Sequence, residues 1–177
     1  MTRMRIEYVV VTVVLAACGR GTPSAAADTT AAAAPAAAQA PPAVAGDLAS
    51  SRTFNSLLGD FQFAVPDVWE QRYTATERVS APEYPGAKSV SEFMFLPMSG
   101  GTPPALLTII QYPEAGWKAI SGSGKAVGAV VAEGGGRVFV AQLLSSNPFP
   151  AGSEDAVAIA PMLLTPDQVT KAMKIKS

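Results

Sequence analysis

The run Gly122-Ser123-Gly124-Lys125 is the first place in this 177-residue chain to look for phosphate chemistry. A phosphate loop needs a glycine five residues before its Gly-Lys pair and a hydroxyl after the lysine; Ala119 and Ala126 stand there instead. The dinucleotide fingerprint fails as well, because the third glycine falls at 128 rather than 127. The run therefore reads as a flexible turn before a strand. Neither Ser-x-x-Lys nor Gly-x-Ser-x-Gly occurs, so the common serine acyl-transfer signatures are missing. There is no histidine, hence neither the usual general base at neutral pH nor the commonest metal ligand. Glu154 and Asp155 are adjacent, and neighbours on a helix do not face one another. Glu83, Glu92 and Asp67 form an acidic site only if the fold brings them together. Trp69 and Trp117 read either as a ligand platform or as core aromatics. On these residues we assign no catalytic group, no metal site and no cofactor.

The remaining reactive group is the thiol of Cys18, the only cysteine, which also excludes an intrachain disulfide. It follows a segment that opens on Arg3 and Arg5 and runs through Tyr8-Val9-Val10-Val11-Thr12-Val13-Val14. A basic start, roughly ten apolar residues and a small-residue site read as a secretory signal, shorter than the roughly 20 residues of a membrane span. Leu15-Ala16-Ala17-Cys18 resembles the lipobox of bacterial lipoproteins. That resemblance implies cleavage before Cys18, diacylglycerol on its sulfur and a further acyl chain (palmitate, for example) on the new amino end. It implies a place in the cell envelope. With Gly19 rather than Asp, this is the periplasmic face of the outer membrane in a Gram-negative host, and otherwise the outer face of the plasma membrane.

Residues 1–17 are thus read as signal, 18–50 as a lipidated Ala/Pro-rich linker and 51–177 as the folded domain. From Gly19 to about Ser50 the chain is Ala, Pro, Thr and Ser, broken by Pro23, Pro35, Pro41 and Pro42. Its longest proline-free alanine run is shorter than the roughly 12–15 residues an isolated helix needs. As a disordered spacer it reaches up to roughly 100 Å. Apart from Tyr8, every Phe, Trp and Tyr falls after residue 50, which places the core there. The formal net charge of −1 leaves no basic patch for nucleic acid.

In the domain, Phe54, Leu57 and Leu58 share one helical face ending at Gly59. Phe61–Val65 alternates at period two, the mark of a half-buried strand, and Glu70–Arg78 alternates again. Val90–Leu96 is a third strand. Leu106–Tyr112 is continuously apolar and so a central strand covered on both faces. A short helix around Trp117 and Ile120 ends at Gly122 and Gly124. Val127–Glu133 and Arg137–Leu144 form a hairpin about Gly134-Gly135-Gly136. Ser153 caps a helix with Glu154 and Asp155 in its first turn; Thr165-Pro166-Asp167 starts another. Met173–Lys176 reads as a last edge strand whose lysines discourage further pairing. The order is α+β, an antiparallel sheet of about six strands with helices on its faces.

The motif Phe61-x-Phe63-x-Val65-Pro66-x-x-Trp69 is followed by Val138-Phe139-Val140-Ala141 and Ser146-Asn147-Pro148. Gly152-Ser153-Glu154-Asp155-Ala156 and Thr165-Pro166-Asp167-Gln168-Val169 complete the set. Together they resemble the bacterial relatives of the PsbP-type domain, over about residues 54 to 177. The superfamily includes an extrinsic photosystem II protein and a Ran-binding nuclear import factor. The resemblance implies an α/β/α sandwich and a role in binding or assembling other proteins. Some photosynthetic members bind metal ions partly through histidine, which this chain lacks. The matching residues transfer a fold and no activity.

The resulting expectation is a non-enzymatic, lipid-anchored envelope protein that binds another, unidentified envelope protein. The alternative is a small-ligand or ion carrier. The loops Ser80–Lys88 and Met98–Pro104 are the partner surface to look at, with Glu83, Tyr84, Lys88, Met98 and Thr102 as its side chains.

Overall fold

The computed structural model describes residues 48–79 and 81–176. Cys18, the expected signal and the linker through residue 47 lie outside the described residues. Among the described residues eight strands and three helices follow one another: β1 Arg52–Asn55, β2 Phe61–Val65, β3 Tyr73–Val79, β4 Ser89–Phe95, β5 Ala105–Pro113, α1 Glu114–Gly122, β6 Ala129–Gly134, β7 Arg137–Leu143, α2 Glu154–Ile159, α3 Pro166–Ala172 and β8 Met173–Ile175. Short 3-10 turns cover Asp67–Trp69 and Ala160–Met162. The fold is α+β with antiparallel pairing throughout. The strands divide between a five-stranded sheet, β3-β4-β5-β7-β6, and a three-stranded sheet, β1-β2-β8.

Register explains the division of faces. Phe93 lies opposite Leu107, and Ser91 opposite Ile109, which in turn lies opposite Ala141. This row therefore points to one side of the larger sheet. It packs with Phe61, Phe63 and Val65 of β2, Trp69, and Ile159, Met162 and Val169 from the helical end of the chain. Phe93 is the hub: the rings of Phe54, Phe63 and Trp69 stand 4.9, 5.2 and 5.8 Å from it. The opposite row, Val90, Ile110, Tyr112, Val138 and Val140, is roofed by α1 and the 81–88 loop. Central β5 is thus covered on both sides, which is why its sequence shows no alternation.

The expected helical turn at Phe54–Leu58 is not formed. Phe54 is in β1, opposite Phe63, and Leu57 is 85% exposed. The segment bends because the Glu77 carboxylate accepts from the Leu57 amide and the Ser56 hydroxyl. Gly59 then passes so close to Phe61 that a Cβ would lie 2.7 Å from its ring. The domain also begins before residue 51. Ser50 Oγ donates to the Val65 carbonyl at 2.8 Å, the Ala49 carbonyl accepts from the Asp67 amide at 2.9 Å, and Leu48 packs on the core.

The carboxyl-terminal helices start where their cap residues stand. Ser153 Oγ accepts from the Ala156 amide, and Thr165 with Gln168 makes a reciprocal capping box, with Pro166 at the first turn. Pro161 ends α2 in a 3-10 turn, whose Met162 carbonyl accepts from the Trp69 indole at 2.9 Å. β8 pairs with β2 at the border of the smaller sheet, with Lys174 exposed.

Candidate functional site

The 81–88 loop is held by two turns, with the Tyr84 amide on the Ala81 carbonyl and the Ala87 amide on the Tyr84 carbonyl. It folds back over the larger sheet, so that the Tyr84 hydroxyl donates to Gln142 Oε1 of β7 at 2.7 Å. On the other side, α1 lays Trp117 against Tyr112 at 5.6 Å between ring centroids and places Ile120 over the same row. The helix closes on Ser123, with the amides of both Ser123 and Lys125 on the Ile120 carbonyl. Gly124 and Gly128 then turn the chain through positive φ into β6.

A cleft of about 300 Å³ lies between loop and helix end. Tyr84, Pro85, Tyr112, Ile120 and Val127 form its apolar walls, and Glu83 and Lys125 stand on it as charges. Burial raises the Tyr112 phenol above its ordinary value, helped by Tyr84; burial likewise raises Tyr84, with Glu92 and Glu83 adding to it. Both phenols therefore stay protonated at neutral pH. Tyr112 is 3% exposed, and its hydroxyl has no hydrogen-bond partner among the described residues.

Glu83 is not free to act as a base. Its own backbone amide and the Arg78 guanidinium hold its carboxyl below the usual range, and it is ion-paired to Arg78. The same guanidinium takes Glu92 at 3.0 Å. Two of the three expected carboxylates do meet, through a shared cation. Asp67 lies elsewhere, on the Ser51 amide and hydroxyl. Among the described residues no group of three or more His, Cys, Asp or Glu is placed to hold a metal ion. Trp69 and Trp117 belong to opposite sides of the larger sheet and form no joint platform.

The expected partner surface is divided. Glu83 and Tyr84 line the cleft. Lys88 points to Asp60 at 3.6 Å, a carboxylate that also receives Arg137 at 3.3 Å. Met98 and Thr102 sit past the far end of β4, about 20 Å away along a seven-residue strand. They are exposed, Met98 at 68%, but the backbone beneath Met98 is fixed. Its amide and that of Ser99 donate to Asp155 at 2.9 and 3.0 Å.

By its position in the sequence Asp155 is a first-turn residue beside the Ser153 cap. It is 2% exposed and joins α2 to the 96–99 segment and to Arg72. The Ser99 hydroxyl first, then the Met98 and Ser99 amides and Arg72, hold its carboxyl at about 2. In sequence Lys125 shows only the end of a failed phosphate loop, and Tyr112 and Val127 show only strand positions. No short motif marks any of them, because the cleft joins segments that are distant in sequence. Among the described residues no helix is long and apolar enough to cross a membrane. Compared with known proteins, the chain matches no family model, no curated protein and no solved structure.

Proposed function

We infer that this chain is an envelope lipoprotein, anchored through an acylated Cys18, whose domain binds another envelope protein without catalysing a reaction. One observation carries the binding part: the Tyr84–Tyr112 cleft, an apolar concavity built from three segments on a rigid sheet. Such concavities with a few polar groups are where binding sites occur. The carboxylates near it support the same reading, since Glu83 and Glu92 are committed to Arg78. The PsbP-type resemblance belongs to this proposal. Its motif residues serve the fold: Trp69 is in the core, Asn147 donates to the Ala156 carbonyl at 2.7 Å, and Ser153 and Thr165 cap helices.

The test is capture of partners from detergent-solubilised membranes by the full chain, against a variant with Tyr84→Ala and Ile120→Ala. A protein retained by the first and lost from the second supports the reading. Recovery of nothing above background overturns it. The cleft's volume, at the low end for small-molecule pockets, favours a second reading, a small-ligand carrier. A thermal-shift screen of ions and lipids in which one of them raises the melting temperature would move the assignment there.

A further inference from the structure

We propose that the Tyr84–Tyr112 cleft binds the carboxyl-terminal residue of a partner polypeptide, an apolar side chain carrying a free carboxylate. This deepens the binding reading above and rests on it.

Tyr84 already donates its hydroxyl proton to Gln142, and Glu83 already has Arg78. Two groups on the cleft are uncommitted among the described residues, the Tyr112 hydroxyl and the Lys125 ammonium. Both donate, and one is a cation. Tyr112 is buried as a residue but lines the cleft, so its hydroxyl, with no partner among the described residues, can donate to an acceptor that enters. The complementary group is an anionic acceptor. The walls between the donors, made by Pro85, Ile120, Val127 and the tyrosine rings, exclude a bare inorganic anion as the best fit and call for an apolar body. A volume of about 300 Å³ holds one large side chain and its carboxylate, and too little for a long acyl chain. A polypeptide's last residue is the one place where a protein offers both groups together. Lys125 lies in the glycine-rich 122–128 turn, whose backbone can adjust to the incoming carboxylate.

The probe is a short Gly/Ser peptide ending in phenylalanine with a free carboxylate, measured by fluorescence anisotropy on the full-length chain in detergent. Its amidated twin and N-acetylphenylalanine are the comparisons. The acid should bind about 10-fold more tightly than the amide, as for hydrogen bonds to a charged group. Tyr112→Phe, which keeps the ring, and Lys125→Met, at an exposed site, should each remove part of that preference; the Lys125 part should fade at high salt. Circular dichroism confirms the fold of both variants. Equal affinity for acid and amide, no binding of the acid by folded wild type, or wild-type preference in both variants overturns the proposal. So does N-acetylphenylalanine binding as tightly as the peptide, since the occupant is then a small acid. Membrane capture that succeeds while these tests fail leaves the binding reading standing. Peptide binding with failed capture does the reverse.

Discussion

The guanidinium of Arg72 donates to the carboxylate of Asp155 at 2.6 Å, joining the start of β3 to the first turn of α2 across 83 residues of sequence. Arg72 also lies over the Phe95 ring at 4.9 Å, so the pair closes over the aromatic end of the larger sheet. Asp155 fixes the 96–99 segment at the same time. One carboxylate therefore holds a strand, a loop and a helix.

Acid should loosen this junction. The folded-state pKa of Asp155 is about 2, below the ordinary 3.8, so its stabilisation is complete above the ordinary value and is lost as pH falls through the folded one. Melting temperature should drop between about pH 4 and pH 2, and that part of the drop should be absent in Asp155→Asn. The variant should melt several degrees lower at neutral pH, because the amide supplies only one acceptor oxygen to Arg72, Met98 and Ser99. Thermal melts across this pH range decide it. An unchanged acid limb in the variant would contradict the assignment.

Elements with local signals were legible in the chain. The alternation of Phe61–Val65, the unbroken apolar run of β5, the glycines of the β6–β7 turn and the caps at Ser153 and Thr165 all rest on interactions within a few residues. What depends on long-range closure was not legible. Phe54 and Leu57 show helical spacing, yet β1 forms because β2 offers a partner and Glu77 holds the bend. The division into two sheets, with Phe54 and Phe63 of the smaller one packed on Phe93 of the larger, has no local signal either. Asp155 satisfies the pattern of a cap residue, and nothing nearby in sequence announces that Arg72 and Ser99 will reach it. The loops proposed as one surface are separated by the length of β4, a fact that appears only once that strand is extended between them.

The capping box of α3 gives a second prediction. Thr165 Oγ1 accepts from the Gln168 amide while Gln168 Oε1 accepts from the Thr165 amide. Thr165→Ala should cost about 1 kcal/mol, and Thr165→Ser should restore most of it. Urea titration measures both. Because α3 covers β2 and Val169 is fully buried, the loss should appear as a lower global midpoint with unchanged slope rather than as local fraying.

Gly128 gives a third. Its φ is +87°, and an added Cβ would lie 2.5 Å from the carbonyl oxygen of Ala141, a backbone atom in β7. Gly128→Ala meets both a strained dihedral and an immovable neighbour, and should destabilise by roughly 1–3 kcal/mol. Gly124 also has positive φ, at +70°, but open space around its Cβ position. Gly124→Ala should show only the dihedral part. Equal losses at the two sites would mean that contact with β7 adds nothing.

The proposed anchor gives the last. Each buried CH₂ of an acyl chain is worth about 0.8 kcal/mol, so one chain holds a protein only marginally and two or more hold it stably. If the sulfur of Cys18 carries diacylglycerol, Cys18→Ser should move the protein from the membrane pellet to the soluble fraction, and high salt should not release the wild type. The folded domain should be unaffected, since its described contacts begin at Leu48. Intact mass of membrane-purified wild type should place the amino end at residue 18 with added acyl mass. A serine variant that still sediments with membranes would place the anchor elsewhere, in the uncleaved apolar segment before residue 18 or in the domain, where the exposed side chains of Leu57 and Met98 would be the first to replace.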